Sequence, residues 1–382
     1  MTRLVVLLPL VIALALPAQA QLPGVGLPQV PSLGAPELDD VLDTTDAALA
    51  DLRRLRIREL LRTHRRELEA DPAGNPIVRR QIIAVGMSEA AIANARAAGY
   101  QIVSTNELGE GGVLVTLRAP AGQSTRRALR RLREADSAAV YDFDHLHIES
   151  AAGAIVSGFA QSSAASAGPR IGLIDSGVGA SVPIAAQRSF VGAAPIPAMH
   201  GTTVAGLLST AAPGARIYAA DIYGGAPTGG ASSALARALA WLAAEQTGVI
   251  NISLVGPRNR VVESVISGLI SRGFVIVAAV GNDGPAAAPL FPASYPGVVG
   301  VTGVDARHRV LIEAGQGEQV DFAALGVHGR ARGTSYAAPI VAARLATLAN
   351  GQRSIADLAA DARDLGADGR DDVYGHGLVE VR

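Results

Sequence analysis

Three polar side chains that could cooperate in nucleophilic catalysis lie in order along the second half of the chain. Asp175 directly follows an apolar run, His200 precedes small and apolar residues, and Ser335 lies in the segment Gly-Thr-Ser-Tyr-Ala-Ala-Pro. A serine hydroxyl becomes a useful nucleophile when an imidazole accepts its proton and a carboxylate holds that imidazole in the correct tautomer. Together the three residue types predict acyl-transfer chemistry, with peptide-bond hydrolysis as the leading candidate.

A fourth residue, Asn282, could stabilise the negative charge that develops in such a reaction. It follows the apolar run 274–280, and its side-chain amide can donate a hydrogen bond to an oxyanion. Ser335 begins a predicted helix, where the first backbone N–H groups have no intrahelical acceptor. A backbone N–H group at this position could therefore act as the second donor.

Each of these residues also has an ordinary structural interpretation when it is taken alone. Asp175 could cap a turn and His200 could be a surface histidine. Ser335 could be a helix N-cap, and Asn282 could belong to a tight turn. The combination favours catalysis, because one candidate is present for each role that peptide hydrolysis requires.

The elements around these residues predict an α/β domain over 170–382. Apolar runs alternate with helical segments, which is typical of a mostly parallel sheet covered by helices on both faces, a three-layer arrangement. Polar residues that follow such strands point into the crevice at the carboxyl edge of the sheet. The predicted strands are 170–174, 215–223, 248–254, 274–280, 298–304 and 319–324, and the main predicted helices are 202–210, 232–246, 261–272, 335–350 and 355–365.

A smaller unit precedes this domain. Residues 81–150 alternate in the order β-α-β-β-α-β, which predicts a small ferredoxin-like α+β unit. Residues 151–169 are rich in Ala, Gly and Ser and show no period, so we interpret them as a linker.

The first 20 residues have the pattern of a secretory signal peptide. Arg3 supplies a positive charge, Leu4 to Pro17 are apolar, and Ala18-Gln19-Ala20 fits the small-residue cleavage rule. An uncleaved N-terminal anchor is the alternative.

Residues 21–80 are interpreted as a proline-rich linker followed by a helix over 44–70. Seven arginines occur between positions 53 and 66 of this helix. They could form a solvated face, or they could dock to an acidic surface or an anionic lipid.

The composition excludes several classes of protein. The chain has no cysteine, so disulfides, thiolate metal sites and a cysteine nucleophile are absent. Its net charge of −1 gives no reason to expect nucleic acid as a partner. No acidic cluster has the spacing of a calcium loop, so we predict no cofactor; structural calcium is the alternative, which the sequence does not support.

The segments around these four side chains resemble the subtilisin-like (subtilase, S8) serine peptidases, whose triad occurs in the order Asp, His, Ser. The resemblance covers about residues 168–382. It implies that Asp175, His200 and Ser335 form the triad and that Asn282 is the oxyanion-hole side chain.

The resemblance also implies how substrate binds. The substrate backbone would lie as an added strand between two edges of the domain. Residues 81–150 resemble the inhibitory pro-domain of the family, so the protein's own pro-domain is an expected intramolecular inhibitor. The implied edge residues are Tyr223, Gly224 and Gly225 on one side and Ser253, Leu254, Val255 and Gly256 on the other.

The sequence therefore predicts an exported serine endopeptidase, periplasmic or secreted, that acts on proteins or peptides. It is expected to be made as a precursor that cleaves itself between about His147 and Gly168, and to keep no transmembrane segment after signal cleavage. One alternative is a pseudoenzyme that serves as an inhibitor or chaperone-type binding protein. Another is an esterase or transpeptidase that uses the same acyl-enzyme chemistry.

Overall fold

The computed structural model describes residues 52–149, 168–350 and 354–381. The predicted signal peptide and most of the predicted linker 151–169 lie outside the described residues. Within these ranges, no helix combines the length and the apolar character that crossing a membrane requires.

The N-terminal part is an antiparallel sheet with helices on one face. Strand β2 lies between β4 and β5, and β4 in turn pairs with β3, which is the ferredoxin-like order. Apolar side chains of the sheet pack against α2 and α3 in a core of their own. The elements are α1 (52–63 of the described residues), β1 (Leu68–Ala70), β2 (Pro76–Val85), α2 (Glu89–Ala97), β3 (Gln101–Glu107), β4 (Val113–Arg118), α3 (Thr125–Ala135) and β5 (Val140–His145).

The start of this unit differs from the prediction. The sequence pattern predicts a helix over 44–70 and a first strand at 81, but α1 ends at residue 63 and β2 already begins at Pro76. Leu68 pairs with Val78 across an antiparallel ladder, and both side chains are buried together. This tertiary burial outweighs the helical pattern of the isolated segment.

The second part is a seven-stranded parallel sheet in the order β14-β13-β12-β10-β7-β9-β8. Its strands are β7 (Arg170–Asp175), β8 (Ala186–Ser189), β9 (Arg216–Asp221), β10 (Val249–Ile252), β12 (Val275–Ala279), β13 (Val299–Val304) and β14 (Phe322–Leu325). Short strands outside it are β6 (Ile148–Glu149), β11 (Leu254–Val255), β15 (Val327–His328) and β16 (Ala331–Arg332).

Helices cover both faces of this sheet, which confirms the predicted α/β class. Two apolar cores lie on either side, one under α4 and α7 and the other under α5 and α6. The interior strands are almost entirely buried because water reaches neither face, whereas the edge strand β8 is partly exposed. The helices are α4 (Met199–Ala211), α5 (Ser232–Ala244), α6 (Arg260–Ser271), α7 (Thr334–Asn350) and α8 (Ile355–Asp361).

The N-terminal sheet docks onto α5 and α6 through its second face. Ile83 and Leu114 belong to the same buried core as side chains of both helices. Buried Asp144 accepts hydrogen bonds of 2.8 Å from the backbone N–H and the hydroxyl of Ser233, at the start of α5. A carboxylate at a helix N-terminus satisfies an unpaired donor and the positive end of the helix dipole. Apolar and polar contacts therefore position this unit together.

Candidate active site

Asp175 and His200 meet at the carboxyl edge of the parallel sheet. Asp175 ends β7, and His200 lies in the first turn of α4. The imidazole Nδ1 is 2.8 Å from Asp175 Oδ1 and 3.0 Å from Oδ2. Both side chains are buried. Because a carboxylate can only accept, this contact places the proton of a neutral imidazole on Nδ1 and leaves Nε2 as a base.

The residues beside this pair hold the carboxylate in position. Asp175 Oδ1 also accepts the backbone N–H of Ser176 at 2.7 Å and its hydroxyl at 3.0 Å. The same hydroxyl accepts the backbone N–H of Gly201 at 3.0 Å. A Cβ at position 201 would lie 2.1 Å from the carbonyl oxygen of Ser176, so only glycine allows this close approach.

Ser335 lies in the first turn of α7, fully buried beside the same edge. Its hydroxyl donates to the carbonyl oxygen of Ser253 over 3.2 Å. The ring of the next residue, Tyr336, lies 5.4 Å from the imidazole of His200, measured between ring centroids. Nε2 of His200 is buried and has no hydrogen-bond partner among the described residues. The hydrogen bond between this nitrogen and the serine hydroxyl is therefore not formed in this state.

Asn282 follows β12 and faces the start of α7. Its Oδ1 accepts the backbone N–H of Thr334 at 2.9 Å, which assigns the oxygen to that side of the amide. The Nδ2 group is buried and has no hydrogen-bond partner among the described residues. A buried amide donor without a partner lowers the stability of the folded protein. Because this donor lies next to the helix of the nucleophile, we infer that its partner is a bound substrate or reaction intermediate.

The charges around His200 favour its protonated form. Burial alone would lower the pKa of the imidazole, but the charge and hydrogen bond of Asp175 raise it, and the charge of Glu149 adds to this effect. The net result is a pKa above the ordinary value for histidine. An imidazole with a raised pKa is a stronger base once it is neutral.

A strand from the N-terminal part occupies the groove beside these residues. β6 pairs antiparallel with β11, with Ile148 opposite Val255 and Glu149 opposite Leu254. The sequence predicts Ser253, Leu254, Val255 and Gly256 as one substrate edge, and the structure places β6 along it.

On the other side of the groove, residues 146 and 147 contact a different part of the chain from the one predicted to bind substrate, and the roles of Tyr223, Gly224 and Gly225 stay a prediction. The backbone N–H of His147 donates to Gly230 at 2.8 Å, and Leu146 forms a bridge with Ala231. Tyr223 contributes only a long hydrogen bond, 3.3 Å from its hydroxyl to the carbonyl of His147. Gly224 and Gly225 make no hydrogen bond to residues 146–149 in the described part of the chain. Turns at Ala226 and Gly229 fold the chain back, so residues 230 and 231 reach the groove instead.

Two side chains of the occupying segment lie deep in the site, and the sequence analysis missed both. His147 is buried, and a Cβ on Gly256 would lie 2.5 Å from its ring, so this glycine makes room for it. Glu149 lies near Asp175 and His200, and burial together with the Asp175 charge raises the pKa of its carboxyl. The one sequence signal for these two residues was the predicted strand over 138–148, which indicated that the chain is extended up to this point.

Glu149, Asp175 and His200 each bring one oxygen or nitrogen within 4.8 Å of the other two, a spacing that could hold a metal ion. The direct hydrogen bond between Asp175 and His200 accounts for two of these groups without a metal. The sequence-based expectation that no cofactor is needed stays a prediction.

Comparisons with known proteins agree with this geometry. The sequence profile of the Subtilase family matches residues 194–377. Subtilisin Savinase of Lederbergia lenta is 30% identical over 208 residues, covering 48% of this chain and 76% of the relative. The chain belongs to the subtilase family. It is a subtilisin-like serine peptidase, as the sequence predicted.

Other relatives of this subtilase match it over different lengths. Subtilisin E of Bacillus subtilis is 27% identical over 270 residues, covering 61% of this chain and 70% of the relative. The minor extracellular protease Epr of the same species is 29% identical over 211 residues, covering 48% of this chain and 32% of Epr. The chain thus spans about a third of Epr. Fervidolysin of Fervidobacterium pennivorans, a keratinolytic enzyme related to subtilisin, shares the fold, with a TM-score of 0.66 and 17% identity over 80% of this chain and 60% of that protein.

Proposed function

We propose that this subtilase is an exported endopeptidase, made as a precursor that cleaves itself. The observation that carries the proposal is β6, a segment of the N-terminal part that lies in the groove as an added strand beside the nucleophile. An extended backbone held by a sheet edge is how peptidases present a bond for cleavage. The N-terminal sheet, docked on α5 and α6, would then act as an intramolecular inhibitor after cleavage.

Each side chain has one role in the proposed chemistry. Ser335 Oγ attacks the peptide carbonyl carbon while Nε2 of His200 accepts the hydroxyl proton. Asp175 keeps the other ring proton on Nδ1 and stabilises the imidazolium. Asn282 Nδ2 and the N-terminus of α7 bind the oxyanion. The imidazolium then protonates the leaving amine, and water hydrolyses the acyl-enzyme by the same steps. The first step requires the serine hydroxyl to turn from Ser253 toward His200.

The register of β6 narrows the expected processing site. Glu149 is opposite Leu254, and the strands are antiparallel, so the chain leaves β6 in the direction of Ser253, whose carbonyl oxygen contacts Ser335. The bonds immediately after position 149 are thus nearest to the nucleophile. We expect cleavage within one or two residues after 149, at the beginning of the window proposed from the sequence.

Export rests on the N-terminal signal pattern, Arg3 followed by an apolar stretch and a small-residue cleavage site. The relative Epr is named an extracellular protease, in agreement with export. We propose a periplasmic or secreted location for the mature enzyme.

The test is the Ser335→Ala variant of the full chain. The parent should mature alone to a form that begins one to three residues after Glu149, as read by intact mass, whereas the variant should stay full-length but folded. A fluorophosphonate probe should label the parent only. A variant that still matures alone would exclude self-cleavage. A well-folded parent that neither matures nor is labelled would favour the alternative of an inactive binding protein.

A further inference from the structure

A cavity of about 250 Å³ lies between α1, β6 and the loop that carries Asn282. Val255, Asp283 and Glu313 are among its lining residues, as are Arg53 and Arg56 of α1. Its volume equals about eight waters at roughly 30 Å³ each, which is enough for one long side chain. Because Asn282 and β6 both border it, this cavity adjoins the place where the reacting carbonyl must lie.

One cation of the cavity wall is already paired with an acidic residue of that wall. Nη1 of Arg53 is 2.7 Å from Oδ2 of Asp283, and the side chains of both residues are largely shielded, with 19% and 16% of their surfaces exposed. The two residues are 230 positions apart in the sequence, so only the docking of α1 brings them together. The other arginines of the described helix carry more exposed side chains, which fits the solvated face considered above.

The anchor of α1 is independent of this ion pair. Leu60 and Leu61 pack against Leu68 and Leu146, in a small apolar core next to the first strands. The helix is thus held at its C-terminal end, while Arg53 at its other end reaches the cavity. Because the apolar anchor lies about two helical turns away, it does not explain why a guanidinium should be buried against Asp283.

Departure of the N-terminal part would leave the cavity acidic. Of the charged residues that line it, Arg53, Arg56 and Glu149 belong to that part. Asp283, Glu313 and Arg332 would remain, two carboxylates and one guanidinium, for a net charge of −1. Arg332 already makes a two-bond pair with Glu313, at 2.8 and 2.9 Å. Asp283 would therefore be left without the partner that it has here.

We propose that this cavity binds an arginine or lysine side chain of the substrate, with Asp283 as the counter-ion, and that Arg53 takes the place of that cation at Asp283 in the precursor. The inference rests on the proposed peptidase function. By the register of β6, the side chain bound there is that of the residue just before the cleaved bond. At the protein's own processing site the residue after Glu149 is a serine, which is too small to fill the cavity. Arg53 can therefore reach Asp283 in the precursor.

The first test uses matched peptides and the enzyme produced by self-processing of the full chain. Two peptides differ only in the residue before the cleaved bond, arginine in one and uncharged norleucine in the other. The ratio of their kcat/KM values should be about 10 to 100, the range that a hydrogen bond to a charged group supports. In the Asp283→Asn variant this ratio should fall to about one to three.

The second test concerns Arg53 in the processed complex, in which the N-terminal fragment still inhibits the enzyme. Arg53→Ala should raise the dissociation constant of this complex, read from the recovery of activity on dilution, by about tenfold or more. Arg58→Ala removes the same charge from an exposed position of the same helix and should leave that dissociation constant unchanged.

The outcomes separate this inference from the proposed function. The inference would be overturned if the norleucine peptide is hydrolysed as efficiently as the arginine peptide, or if a preference for arginine survives Asp283→Asn. Either result would leave the proposed peptidase function unaffected. Equal effects of the Arg53 and Arg58 variants would overturn the role of α1. Absence of processing and of hydrolysis of either peptide would refute the proposed function and this inference with it.

Discussion

Replacing Asn282 tests the oxyanion donor most directly, because the oxygen and the nitrogen of its side-chain amide have different roles. Oδ1 accepts the backbone N–H of Thr334, a structural contact, whereas Nδ2 has no partner and is the donor that we assign to the reaction. Asn282→Asp keeps an acceptor for Thr334 and replaces the donor by a negatively charged oxygen. Asn282→Ala removes both the acceptor and the donor.

The expected magnitudes follow from these contacts. In subtilisin, a relative of this protein, loss of the corresponding donor costs about a hundred- to a thousandfold in rate, or about 2.7 to 4 kcal/mol. We expect a loss of this size for Asn282→Ala and at least as large a loss for Asn282→Asp, which also repels the oxyanion. The alanine variant alone should lose stability, by about 1 to 3 kcal/mol, because the buried N–H of Thr334 then has no acceptor.

The assay is the first-order rate of self-processing after the full chain is refolded by dilution from denaturant. The reaction is intramolecular, so the rate does not depend on protein concentration and contains no KM. Unfolding free energies are measured in the Ser335→Ala background, which prevents cleavage. An Asn282→Asp precursor that matures within threefold of the parent rate would refute the assignment of Nδ2 as a donor. Equal destabilisation by both substitutions would refute the separation of the two roles.

Two further predictions concern the groups around the imidazole. Gly201→Ala should destabilise the inactivated full chain by about 1 to 3 kcal/mol, measured by denaturant unfolding, because the new Cβ would lie 2.1 Å from the carbonyl oxygen of Ser176. The control is Gly268→Ala, in a helix where the new Cβ has no neighbouring atom within 4 Å, and it should be neutral or stabilising. Glu149→Gln should shift the acidic side of the pH–rate profile for processing to lower pH. The Glu149 charge helps to raise the pKa of His200, so its removal lets the neutral imidazole persist in more acidic solution. A profile whose acidic side is unchanged, or moves to higher pH, would contradict this.

Much of the candidate site could be predicted from the sequence because each candidate residue carries a local signature. Asp175 follows an apolar run, His200 is followed by a glycine that permits close packing, and Ser335 opens a helix. These signatures depend on neighbours in the chain, so they can be recognised without coordinates. The main strands and helices of the parallel sheet were recognisable for the same reason, since long apolar runs have strong periodicity. The edge strand β8 was missed because it is short, three of its four residues are polar, and none of the four is fully buried.

The less local features were missed or misplaced. The helix predicted over 44–70 gave way to a strand at Leu68, because burial against Val78 and Leu146 stabilises the extended form. The pairing of residues 146 and 147 with Gly230 and Ala231 was not predicted, because the path of a turn depends on what packs against it. Neither outcome has a signal within a few residues of the affected position.

The amino-acid sequence by itself determined the chemistry, a hydroxyl, an imidazole, a carboxylate and an amide, each at the end of a strand or the start of a helix. Only the tertiary structure decided what occupies the groove and the cavity beside it. The contact between Arg53 and Asp283 joins residues 230 positions apart. Such a contact depends on how whole elements dock, through the summed burial of many apolar side chains, and no short stretch of sequence encodes it.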